Sequence, residues 1–195
     1  MPLRPPLRVS ITRHGEKEQN LKDFLLRHIG AAACQGGARQ PFDLQIVARS
    51  LESPLIKAIT SLGQDIAASG LSVRLILAQL DPALNLEAWE RSLPFAHEVR
   101  WAKHPRLIEA HEQLVIGPET CWIGDCMRRD PAKCDAYESF VEHSGEAAGC
   151  AAVSFERLWL ASQPLATGKG KLDDLAPPAA LTNRAGSEPT LATRH

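Results

Sequence analysis

The chain has 195 residues, 44% of them hydrophobic, and a formal net charge of −1, which suits one domain with a sizeable core. That balance gives no general case for a nucleic-acid or membrane-surface protein; a local basic patch for nucleic acid is left open. No run approaches the ~20 apolar residues of a membrane span, and the opening MPLRPPLRVSI lacks the apolar segment of a secretory signal, so a cytoplasmic protein is expected. The odd set Cys34, Cys121, Cys126, Cys134 and Cys150 argues for reduced thiols. With no CxxC pair, small buried thiols are the better reading than a zinc site, and neither metal nor cofactor is expected.

In chain order, Leu7 to Thr12 reads as a β-branched strand. Glu16 to Ile29 follows as a helix on the spacing of Leu21, Leu25 and Ile29, with acids in its first turn and Gly30 at its end. Asp43 to Ala48 is a second strand. Ser53-Pro54 opens a helix with Leu55, Ile59, Leu62 and Ile66 on one face and Gly70 closing it. Ser72 to Leu80 is a strand buried on both faces, Asn85 to Ser92 a short helix carrying Trp89, and His97 to Trp101 a strand. Leu107 to Ile116, with a polar interruption at His111 to Gln113, and Thr120 to Ile123 are two more strands. Ala136 to His143 and Glu146 to Ala161 look helical, and from Pro164 onward the composition predicts a disordered tail. Strands alternating with crossover helices predict an α/β fold: a mixed, mostly parallel sheet flanked by helices on both faces. The expected division is a domain over 1–163 and a tail over 164–195.

Two motifs bear chemistry. The first, Arg13-His14-Gly15-Glu16, sits where a strand meets a helix N-terminus, an arrangement that attracts anions. ITRHGEKEQNL resembles the opening of the histidine phosphatase (phosphoglycerate mutase-like) family. That resemblance implies a phosphomonoesterase with His14 as nucleophile, Arg49 as a second arginine and His143 as the late histidine.

The second is HEQLVIGPETCWIGDCMRRDP, followed by AYESF and FERLWLAS. Together with LRVSIT and FDLQIVARSLESPLIKAITSLGQDIAASGLSVRLILAQLD upstream, it resembles the phospholipase D superfamily from about Leu7 to Pro164. That extent outweighs the four-residue match at His14. The resemblance implies a phosphodiesterase fold in which one histidine attacks phosphorus and another, from the second half of a pseudo-dimer, protonates the leaving oxygen. Lysines neutralise the phosphoryl oxygens and an aspartate orients the histidine. His111 takes the family's histidine position, Trp122-Ile123-Gly124 its second strand, and Phe155 to Trp159 its closing helix.

The departures fall on the catalytic positions. Gln113 stands for the lysine. Pro118 stands for the aspartate, with Glu119 as the only substitute, and Gly124-Asp125-Cys126-Met127 replaces Gly-Ser-x-Asn. A rival register from His104 keeps a cation at Arg106 but puts His111 at the aspartate place and a proline, Pro105, inside a ladder strand; the His111 register is preferred. Losing one charge-stabilising donor costs about 3–4 kcal/mol by analogy with oxyanion holes. Losing the orienting carboxylate is worth about 10⁴-fold in serine proteases.

The expectation is therefore a phospholipase D-like protein with impaired catalysis, acting as a binding or scaffold homodimer; a phosphodiesterase using His111 and a phosphomonoesterase using His14 are the alternatives. His111, Gln113 and Glu119 are the degenerate catalytic positions, and Arg106, Asp125 and Arg128 the candidate contacts to a phosphate-containing ligand. One motif per chain implies two copies, with His111 of both near the two-fold axis. Trp122 and Trp159 are expected as core anchors, Arg128-Arg129-Asp130 first as a surface ion-pair cluster, and His97, His104 and His143 as surface residues.

Overall fold

A computed structural model describes residues 8–34, 43–80, 93, 96, 98–103, 110–128 and 135–165. Among them the chain forms β1 (Arg8–Arg13), α1 (His14–Cys34), β2 (Asp43–Ala48), α2 (Pro54–Ser61), α3 (Gly63–Ser69), β3 (Ser72–Leu77) and β4 (Glu98–Trp101). There follow β5 (His111–Ile116), β6 (Thr120–Cys126), β7 (Asp135–Val141), α4 (Gly145–Ala161) and β8 (Gln163–Pro164). All eight strands join one sheet in the order β1-β7-β6-β5-β2-β3-β4-β8.

The sheet is mixed and helices cover both faces, as expected of an α/β fold. The expected weight of parallel pairing is reversed. Of the described ladders, β2–β3 and β3–β4 run parallel, and the others are antiparallel. The physical reason is connection length. The turn at 117–119 between β5 and β6 is too short for a crossover, so those strands must pair as a hairpin. The α2–α3 segment is long enough to return the chain parallel from β2 to β3.

Strand alternation divides the core in two. Leu44, Ile46 and Ala48 of β2, Leu75 and Leu77 of β3, Leu114 and Ile116 of β5 and Trp122 of β6 pack with Leu21, Phe24 and Leu25 of α1 and with α2 and α3. On the other face Val47 and Ile76 meet Phe155 and Trp159 of α4, while Val115, Cys121 and Val141 meet Ala148 and Ala151. Trp159 is a core anchor: it stacks on Phe155 at 5.3 Å between ring centroids, and the Arg100 guanidinium lies 4.4 Å above its ring.

Local chemistry accounts for most boundaries. Ser53 Oγ accepts the Ile56 N–H at 3.3 Å and Pro54 occupies the first turn of α2. One expected helix from Pro54 to Gly70 is two: at Leu62 the backbone leaves helical geometry (φ −106°, ψ 13°) and its N–H turns to the Ile59 and Thr60 carbonyls, and Gly63, a weak helix former, follows. Gly70 ends α3 in the left-handed region at φ 69°. α1 runs past Gly30 to Cys34.

The larger correction is Ala136 to His143, read as a helix from its Ala and Glu content but folded as β7 from Asp135 to Val141. The segment fills the gap between β1 and β6 and bonds to both, and this pairing overrides its propensity. Its alternation is visible in Tyr137, 58% exposed, beside Glu138, 1% exposed. The expected Asn85–Ser92 helix, the 107–109 end of the fifth expected strand and residues 166–195 lie outside the described residues. β8 pairs Gln163 and Pro164 with β4, across the expected domain limit. No described helix is long and apolar enough to cross a membrane.

Phe155 is fully buried between α4 and the sheet, so Phe155→Ala should lower unfolding free energy by about 3–5 kcal/mol, read as a shift of the urea midpoint.

Candidate functional site

Strand register gathers one end of the sheet. Arg13 of β1 pairs with Asp135 of β7, His111 of β5 pairs with Cys126 of β6, and Val47, two residues before Arg49, pairs with Gln113. The starts of α1 and β5 and the ends of β2 and β6 therefore meet, which brings the backbone of His14, Arg49 and His111 to the same edge. Met127 N–H donates to the Ala110 carbonyl at 2.9 Å, so the exposed Arg128 belongs to this edge as well.

The edge is built on a buried ion cluster. Lys17, on the same helical stripe as Leu21 and Leu25 one turn later, is 2% exposed. Its Nζ lies 3.5 Å from Glu112 Oε2 and 3.5 Å from Asp125 Oδ2, and 5.0 Å from the centroid of Trp122. Glu112 Oε1 accepts the Arg49 backbone N–H at 3.2 Å, Asp125 Oδ1 accepts the Tyr137 N–H at 3.1 Å, and Arg49 Nη2 donates to the Cys126 carbonyl at 3.1 Å.

A bulge makes this convergence possible. Trp122 and Asp125 are an odd number of residues apart, so a regular strand would send them to opposite faces; both reach Lys17. The register resolves the conflict: His111 pairs with Cys126 and Gln113 with Ile123, so β6 uses one more residue than β5 between the two rungs and re-aims Asp125. Gly124 sits at that point because nothing larger fits: a Cβ there would lie 2.3 Å from Trp122 Cη2.

His111 is exposed at the start of β5, and its Nδ1 is 3.0 Å from the Gly124 carbonyl oxygen. A carbonyl only accepts, so Nδ1 carries the proton, and in the neutral ring Nε2 keeps its lone pair. Gln113, two residues on, lies on the α4 face of the sheet, is 5% exposed, and gives its Nε2–H to the Ala151 carbonyl at 3.1 Å.

Glu119 is not brought to His111. It is exposed in the turn at the other end of β5, about 20 Å away by strand rise, where its carbonyl accepts the Ser144 N–H at 2.9 Å. His143 lies beside that turn, with φ 58°. Arg106, His104, Arg129 and Asp130 fall outside the described residues. Among the described residues, Lys17, Glu112 and Glu138 are the buried charges that sequence reasoning missed. Their signal was phase: Lys17 continues the apolar stripe of α1, and Glu112 alternates in step with Leu114 and Ile116.

Cys121 is buried, Cys126 partly so and Cys150 exposed, all as free thiols. Burial, and secondarily Cys150, pushes the Cys121 thiol from 9.0 up to about 11. Among the described residues no three His, Cys, Asp or Glu side chains form a group able to hold a metal ion.

Two outcomes follow from these environments. Lys17→Met removes the cation shared by the buried Glu112 and the partly buried Asp125 and should cost about 3–5 kcal/mol in chemical denaturation. At mildly alkaline pH a thiol reagent should label Cys150 and spare Cys121 until the chain unfolds. Because the folded-state value of Cys121 is the higher, its contribution to stability is intact below pH 9.0 and is lost as pH rises toward about 11; Cys121→Ala should flatten that fall in pH-dependent melts.

No family model matches the chain, and no curated protein matches it in sequence. Solved structures do. Nuc from Salmonella typhimurium, a phospholipase D family member, superposes with a TM-score of 0.54 at 11% identity, over 83% of this chain and 100% of that one. NucT from Helicobacter pylori gives 0.49 at 13% identity, over 82% and 100%. TrmBL2, an archaeal chromatin protein, gives 0.49 at 12%, over 81% and 53%. At these identities the likeness concerns the fold alone, and it is carried by the first. The chain shares the α/β fold of a phospholipase D family member.

Proposed function

We propose that this chain is a phospholipase D-like protein in which phosphodiester hydrolysis has lapsed, and that it works as a binding or scaffold homodimer for a phosphate-containing ligand. One observation carries the reading. Gln113, at the position where the resemblance expects a lysine, is buried and bonded to the Ala151 carbonyl. A neutral amide so engaged cannot offset charge developing on a phosphoryl group, a loss of about 3–4 kcal/mol by analogy with oxyanion donors. Glu119, the only acidic substitute for the orienting carboxylate, is at the wrong end of β5. The exposed His111 and Arg128 at the near end still suit an anionic ligand.

A phosphodiesterase using His111 is the second reading, favoured by the Gly124 carbonyl, which holds Nδ1–H and leaves Nε2 available for attack. The two readings separate on turnover of a bis-aryl phosphate ester and of DNA by wild type and His111→Ala. The expected result is no turnover that the substitution removes; hydrolysis abolished by His111→Ala would sink the lapsed-enzyme reading. Light scattering at micromolar concentration should report a dimer, and a clean monomer would end the homodimer part.

A further inference from the structure

We infer that Asp125 is a positioning residue for His111. Held by Lys17 and by β7, it fixes the peptide whose carbonyl keeps the His111 proton on Nδ1, so that Nε2 is the atom offered to a ligand. Its bearing on binding rests on the reading of His111 as a contact to a phosphate-containing ligand; the tautomer of the ring is independent of any ligand.

Gly124 occupies the stretch of β6 where regular pairing lapses on both sides. The ladder with β7 runs as far as Ile123 and Ser139, and the ladder with β5 shifts between His111 and Gln113. The Gly124 carbonyl oxygen takes a side-chain proton there, from His111 Nδ1 at 3.0 Å and 13 residues away in the chain. Which nitrogen of the ring carries the proton therefore depends on where one peptide plane of the bulge points. Glycine by itself leaves that plane free to rotate. Another group has to hold it.

The plane in question joins Gly124 to Asp125, and the Asp125 carboxylate is tied at both oxygens. Oδ1 accepts the Tyr137 N–H at 3.1 Å, a donor that a regular antiparallel ladder sends to a main-chain oxygen. The side chain thus closes the seam with β7 where the ladder has lapsed. Oδ2 lies 3.5 Å from the Lys17 ammonium, itself held by Glu112 and set against the Trp122 ring. These two ties fix one side of the peptide. On the other side the Trp122 ring lies against Gly124, in the space a Cβ would need. Asp125 shapes the strand, and the strand touches the ring.

Glu112 offers the contrast. It makes an ion pair of the same 3.5 Å length with the same ammonium, but it stands on β5 and does not hold the bulge. A role confined to stability would make the two carboxylates equivalent.

Two-bond proton–nitrogen correlation spectra of the full-length chain, with the ring brought to its neutral form, report which nitrogen holds the proton. The signals are those that His111→Gln removes, and circular dichroism checks the fold of each variant. Wild type should show the Nδ1–H form alone; a predominant Nε2–H form or an even mixture overturns the inference before any variant is made. Asp125→Ala drops both ties and should raise the Nε2–H population roughly tenfold, about the worth of one hydrogen bond. Asp125→Asn keeps an oxygen for Tyr137 and gives up only the charge; it should shift the ring in the same direction and stands in where the alanine variant unfolds. Glu112→Gln should leave the ring as in wild type. A folded Asp125 variant whose ring stays wholly Nδ1–H, or an equal shift from Glu112→Gln, overturns the positioning role. Inorganic phosphate that leaves the Nε2 signal unmoved, while the tautomers behave as stated, upholds the positioning and counts against His111 as the phosphate contact.

Discussion

The Lys17 ammonium is the fixed point from which one edge of the molecule is built. It ties α1 to β5 through Glu112, to β6 through Asp125, and it lies against the Trp122 indole. A helix near the start of the chain and a hairpin 95 to 108 residues further on therefore share one buried cation. Such a group is costly to desolvate, and only the two carboxylates and the ring make its burial tolerable. Moving any of the three elements would break an ion pair of the cluster, so the cluster specifies their relative placement more sharply than apolar packing alone.

The bulge in β6 is the geometric expression of that constraint. Trp122 must enter the core under α1, and Asp125 must reach the same helix. An unbroken strand cannot do both. The extra residue, and the absence of a side chain at Gly124, reconcile them. Gly124 therefore has a packing reason to be glycine, independent of any chemistry performed nearby.

Much of the architecture was legible because it depends on short-range patterns. The apolar runs of β2 and β3, the Ser53-Pro54 helix start and the stripe of Leu21, Leu25 and Ile29 each state their structure within a few residues. β7 was not legible, since Ala136 and Glu138 mean helix locally and only the vacancy between β1 and β6 makes them strand. The site divides in the same way. His111 stood out because the order of elements around it resembles that of a known family. Lys17 and Glu112 went unseen because their phase marks the buried face but not what would neutralise a charge there, and the partners of Lys17 lie 95 and 108 residues away. Glu119 lies far from His111 for a related reason: nearness in sequence along an extended strand is separation in space.

The hydrogen bond between His111 and the Gly124 carbonyl carries a consequence for how lost function is diagnosed. Where a side-chain carboxylate orients a histidine, its disappearance is written in the sequence and the damage can be read there. Here the acceptor is a main-chain carbonyl, which stays in place as long as the strand keeps its irregularity. Tautomer selection has thus become a property of backbone shape rather than of residue identity. A comparison of motifs letter by letter counts the orienting group as missing, while the imidazole is still held by one end and open at the other.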